Sequence, residues 1–169
     1  MSFRNFALAL AAMMLLSAPA LAAPVAVDNL EISTPWTRAT PPGAPTAGGY
    51  LTITNKGSAP DTLTAVSSPI AKASELHLMA MKDGVMTMRA VEGGIAIPAG
   101  GSVTLAPDGL HIMFVTLTQP LKAGGTLPVT LTFAAAGSVA IDMPVLPIGS
   151  SGPAAAMPSM DMIKPQGTN

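Results

Sequence analysis

No cysteine occurs among the 169 residues. That absence excludes disulfides, a thiol nucleophile and the thiolate that a blue-copper electron carrier needs for its trigonal site. Stability has to come from ordinary core packing. Charge is scarce as well, at 10% of residues, and aromatic residues make up only 4%. The acidic residues stand singly along the chain and no Ser sits in a nucleophile-elbow pattern, so paired-carboxylate and serine-hydrolase chemistry lack their parts and no enzyme is indicated. Eight Lys and Arg face nine Asp and Glu, a balance that leaves no basic patch for nucleic acid or anionic lipid. Beyond the N-terminus, no apolar run reaches the roughly 18 residues that a membrane-spanning helix requires.

The first 22 residues read as an export signal rather than as fold. Arg4 supplies the positive start, Phe6 to Leu16 an apolar run too short to span a bilayer, and Ala20-Leu21-Ala22 a small-residue cleavage site. The expectation is a signal peptide at 1–22, a single domain at 23–146 and a flexible tail at 147–169, exported to the periplasm without membrane insertion. Removing residues 1–22 takes Arg4 with it, so seven cationic residues face nine acidic ones, a formal −2. The remainder, about 147 residues, is long enough for one sizeable core.

From Leu30 to about Val145, Val, Ile, Leu and Thr recur with a period near two. Gly, Pro, Asn and Asp interrupt them at intervals of roughly 8 to 12 residues, the pattern of an all-β sandwich or barrel. Strands are expected at Glu31 to Arg38, Gly49 to Asn55, Thr62 to Ser68, Ser74 to Ala80, Val85 to Ala90, Ser102 to Leu105, Leu110 to Leu117, Leu127 to Ala134 and Val139 to Pro144. Asn55-Lys56-Gly57 and Lys82-Asp83-Gly84 have the chemistry of tight hairpins. The proline-rich stretch Thr40 to Pro45 lacks too many backbone donors for a central strand and reads as a loop.

What the chain has in quantity is methionine, twelve residues, beside only two histidines. His77 is accompanied by Met79, Met81, Met86 and Met88, and His111 by Met113. Residues two apart on a strand share a face, so His77 projects with Met79 and His111 with Met113, while Leu76, Leu78, Leu110, Ile112 and Phe114 point the other way. The Lys82-Asp83-Gly84 turn would bring Met86 or Met88 near His77. A single Met or His on an apolar strand is usually a core residue. The two histidines are the only ones in the chain, however, and each has a Met two residues away. Thioether is a soft, neutral ligand suited to Cu(I) and of little use to zinc, calcium or magnesium, so the set points at copper.

Several stretches resemble the PCu(A)C family of periplasmic copper chaperones: Glu75-Leu76-His77, Asp83 to Arg89, Pro98 to Gly101, and Gly109 to Met113. His77, ten residues, Met88, 22 residues and then His111-Ile112-Met113 follow the order of that family's ligand signature. Trp36 to Gly43 and Ala47 to Leu51 are similar to its early segment. The resemblance implies a cupredoxin-like Greek-key β-sandwich that holds Cu(I) through His77, Met88, His111 and Met113. It leaves Met79, Met81 and Met86 outside the ligand set, with Met86 as the nearest auxiliary. It also implies delivery of copper to an acceptor protein, an oxidase subunit in CuA assembly of cytochrome c oxidase or another copper chaperone. Met157, Met160 and Met162 in the tail are further auxiliary candidates for a soft metal. The rival reading is a β-sandwich adhesion or interaction module of the cell envelope that takes up no metal, since fold alone does not determine function.

Protons compete with a metal for imidazole, whose unperturbed pKa is about 6.5, whereas thioethers do not titrate. Cu(I) affinity is therefore expected to fall as pH drops below about 6. A chelator competition series across that range checks it, and an affinity flat down to about pH 4.5 would contradict the His/Met assignment.

Overall fold

Eleven strands account for most of residues 24–82 and 84–153, the residues that the computed structural model describes, and no helix occurs among them. In chain order they are β1 (Val25–Val27), β2 (Leu30–Arg38), β3 (Thr46–Asn55), β4 (Asp61–Ser67), β5 (Ala71–Lys82), β6 (Val85–Ala90), β7 (Ile95–Ile97), β8 (Ser102–Leu105), β9 (Leu110–Leu117), β10 (Thr126–Phe133) and β11 (Gly137–Leu146). All nine expected strands are present. β1 and β7 are additional, and at three residues each they are too short to display a period in sequence. The expected signal segment lies outside the described residues, as do Met157, Met160 and Met162.

The all-β sandwich is the observed architecture. Hydrogen bonding runs continuously in the order β6-β5-β9-β3-β2-β11-β10-β4-β7, with β1 added beside β2 and β8 beside β3. β11 is the link between the halves. It is antiparallel to β10 along its length, and its last residues, Val145 and Leu146, pair in parallel with Thr37 and Arg38 of β2. The path folds over there, and one apolar cluster fills the space between the halves. Ile32, Ile53, Ile112 and Phe114 enter it from one side, and Leu63, Ile97, Leu127, Leu131 and Met143 from the other. All nine are essentially fully buried.

Two turns differ in kind. Lys82 pairs with Val85, so β5 and β6 are joined by a two-residue hairpin loop in which Gly84 takes φ +78°, a conformation that L side chains rarely adopt. Asn55-Lys56-Gly57 also turns, but the expectation of a tight hairpin there is corrected. β3 pairs with β2, β8 and β9, whereas β4 pairs with β10 and β7, so this turn carries the chain from one layer to the other. Asn55 is buried at the crossing. Its side-chain amide donates to the Ala59 carbonyl at 2.8 Å and its Oδ1 accepts from the Gly57 N–H at 2.9 Å, which replaces the ladder bonds that a hairpin would have supplied.

Asp61 performs a similar task at the start of β4. Its carboxylate accepts backbone N–H groups from Thr62 at 2.7 Å and from Ala135 and Ala136 at 2.9 Å, tying β4 to the β10–β11 turn. Burial raises its pKa, but the backbone donors together outweigh burial and hold it below the ordinary 3.8. A depressed folded pKa means that this stabilisation is present above the ordinary value and is lost as pH falls through the folded one. Asp61→Asn is expected to cost about 1–3 kcal/mol at pH 7. Urea denaturation of variant and parent should show that gap shrinking at low pH; a gap independent of pH would refute the assignment.

A candidate metal centre on the outer face of the sheet

The site grows from the pairing of β5 with β9. The two strands run antiparallel in a register that sets Leu76 opposite Ile112 and His77 opposite His111. Leu76, Ile112 and Phe114 are buried in the core, and because side chains alternate across a strand, the histidines project from the other face. Their rings lie 5.9 Å apart between centroids, inclined at 62°. Metal–imidazole bonds are about 2.0–2.1 Å long, so both rings can reach a single ion. Both residues are buried, at 9% and 6% exposure.

Each imidazole has one nitrogen engaged and one to offer. His77 Nε2 lies 2.7 Å from Glu75 Oε2, and since an ionised carboxylate can only accept, Nε2 carries the proton and the lone pair falls on Nδ1. That Nδ1 is buried without any hydrogen-bond partner. A buried polar atom left unsatisfied in this way costs free energy unless something else meets it. A metal ion would meet it. His111 Nδ1 lies 3.0 Å from the Gly109 carbonyl oxygen and donates to it, leaving Nε2 as the free donor atom.

Methionines flank the histidine pair on both sides. Met113 lies two residues beyond His111, opposite Glu75. On the other side β6 pairs with β5 so that Ala90 is opposite His77, Met88 opposite Met79, and Met86 opposite Met81. Met88 and Met79 thus form the row next to the histidines. Met86 lies one row further out, four residues along from the histidine row, or about 13 Å at 3.2–3.4 Å per residue. Among the described residues no three His, Asp or Glu side chains come together as a metal-holding group. Thioether sulfur is the other donor type beside the histidines, and it favours soft ions.

A β-bulge brings an aromatic wall to the same face. Between Ser33 and Trp36 the β2–β3 register shifts, with Thr34 at φ +48°. The extra residue reverses the alternation of β2, so that Trp36 pairs with Tyr50 instead of following Ile32 into the core. The two rings lie 4.4 Å apart between centroids, tilted at 38°, and the Arg38 guanidinium lies 5.6 Å from each. Arg38 Nε also donates to the Ser150 carbonyl at 2.6 Å, which pins the chain just after β11. The Tyr50 hydroxyl occupies the space that a side chain at Gly48 would need, and Gly48 pairs with Met113. Burial raises the Tyr50 phenol above its ordinary 10.0, with Arg38 opposing and Asp108 adding to the shift, so this neighbour of Met113 is neutral.

Glu75 was not singled out by ligand spacing, although its position two residues before His77 on a strand was enough to place it on the histidine's face. Carboxylates that hold the second nitrogen of a ligating imidazole set its tautomer and raise its basicity.

The family described as LpqE-like, a lipoprotein-named family, matches residues 30–145. A protein of Leifsonia xyli subsp. xyli (strain CTCB07), named as the lipoprotein Lxx21020, is 35% identical over 118 residues, 70% of each chain. Among solved structures, the copper-bound PCuAC domain from PmoF2 is 29% identical, with a TM-score of 0.64 over 75% of this chain and 99% of that one. The solution structure of CuI-DR1885 from Deinococcus radiodurans is 30% identical, with a TM-score of 0.55 over 73% of this chain and 80% of that one. Family match, relative and solved structures agree: this chain belongs to the LpqE-like family and has the PCuAC domain that its sequence resembles.

Proposed function

We propose that this protein is a copper chaperone of the cell envelope, which holds Cu(I) through His77, Met88, His111 and Met113 and passes it to an acceptor. The observation that carries the reading is the pair of buried imidazoles, 5.9 Å apart, each with one nitrogen engaged and the other free. Likeness to a copper-bound PCuAC domain and to a protein solved with Cu(I) supports the choice of ion. Four neutral ligands leave the centre with the +1 charge of the ion, and the missing thiolate suits it to holding one oxidation state rather than to cycling. No bond of a substrate is broken, so the protein acts as a carrier and not as an enzyme.

Release proceeds by ligand exchange. Thiolates of an acceptor are stronger donors than thioethers and replace them one at a time, beginning with Met88, which is 47% exposed. The acceptor is an oxidase subunit undergoing CuA assembly, or a second copper chaperone. Export to the periplasm is supported by the lipoprotein names of the family and the relative, together with the signal-like residues 1–22. No helix among the described residues is long and apolar enough to cross a membrane.

Anaerobic Cu(I) titration against a competing chelator tests the reading. Alanine at His77, Met88, His111 or Met113 should weaken binding, and His111→Ala far more than Met81→Ala; equal losses at those two positions would show that the wrong residues have been chosen. Glu75→Ala, which removes the carboxylate behind His77, should reduce affinity by about 10–100-fold without removing a ligand. Uptake of no Cu(I) by the parent protein would favour the adhesion module instead.

A further inference from the structure

The β5–β6 hairpin carries a second pair of sulfurs that the proposed centre does not use. Met81 and Met86 are direct cross-strand partners, and both are exposed, at 66% and 48%. Directly opposed residues of an antiparallel pair have Cβ atoms about 4.5–5.5 Å apart, and the thioether side chain is long and freely rotatable. Both sulfurs can therefore close on one ion. Their row is about 13 Å from the histidine row, too far for either to join an ion held by both imidazoles. Every residue of β6 is exposed, and so is Met81 on β5, so packing against the core accounts for neither methionine.

We propose that Met81 and Met86 form an outer two-sulfur site for a soft monovalent cation, and that the Met79–Met88 row between it and the histidines is the step by which the ion moves inward. The site depends on the copper reading only for the identity of its cargo. Two neutral thioethers bind such an ion weakly and exchange it quickly, which is what an entry point requires. From there the ion exchanges one thioether at a time, Met81 and Met86 for Met79 and Met88, and then thioether for imidazole. It remains monovalent throughout and no electron or proton is transferred.

The test uses the full chain with 13C-labelled methionine methyl groups, titrated with Ag(I), a soft monovalent ion that does not change oxidation state. Met81 and Met86 methyl signals are expected to move together, in the parent protein past one equivalent and in a His77→Ala/His111→Ala variant from the first addition. If Met88 and Met113 respond while Met81 and Met86 stay still through excess Ag(I), the outer site is overturned and the inner centre stands. If Met81 and Met86 respond while Met88 and Met113 do not, the outer site stands, and both the Met79–Met88 step and the inner centre are overturned. Met81→Leu should leave the Met86 signal needing several-fold more Ag(I) to move; an unchanged Met86 response would overturn the pairing. Should the double histidine variant fail to fold, the parent titration past one equivalent decides the question alone.

Discussion

The alignment of β5 against β9 is the constraint on which everything else in this molecule rests. Leu76 and Ile112, opposite one another, are held in the core. The apolar face therefore dictates where the polar face must fall. A slip of one residue would drive the imidazoles into the apolar interior and expose the leucine and isoleucine, exchanging hydrophobic burial for two unsatisfied polar rings. The core thus determines the geometry of a centre to which it contributes no ligand. A site built on paired strands is preorganised, so a ligand binding there costs less ordering entropy than it would on a loop.

The same face divides into a buried part and an exposed part. The histidines are enclosed and each is oriented by a partner, Glu75 for one and the Gly109 carbonyl for the other. Beside them Tyr50, Trp36 and Arg38 form a packed wall, fastened by the Ser150 carbonyl to the chain that leaves β11. On the opposite side the β5–β6 hairpin presents Met88, Met86 and Met81 to solvent. Desolvated nitrogen donors on one side and accessible sulfurs on the other suit the carrier role proposed for this chain.

Much of this fold was readable from alternation alone, because a half-buried strand writes its two faces into the sequence with period two. Nine strands could be read in that way, and so could the sharing of a face by His77 with Met79 and by His111 with Met113. The unread elements had physical reasons to be silent. β1 and β7 are too short to carry a pattern. The turn at Asn55 to Gly57 has the composition of a hairpin but crosses between layers, since turn chemistry specifies a local reversal and not which strand comes next to which. The bulge at Thr34 reverses the faces of β2 at a residue whose type announces nothing, and only that reversal brings Trp36 to Tyr50. Glu75 was visible as a neighbour of His77, yet its role required knowing which ring nitrogen it meets.

What the sequence determined by itself was chemistry and local direction: soft and imidazole donors without a thiol, on strands, each on a definite side. Which donors meet was decided only by the tertiary structure, because a strand's partners are chosen by core packing over the whole chain and not by the residues within it. Spacing brought His77, Met79, Met86, Met88, His111 and Met113 forward as equals. The register of β6 on β5 and of β5 on β9 sorted them, setting the histidines opposite one another, Met79 and Met88 beside them, and Met86 with Met81 beyond reach of the rings. Side-chain identity is local and pairing is collective, and that difference separates the part of this site that could be read in advance from the part that had to be seen.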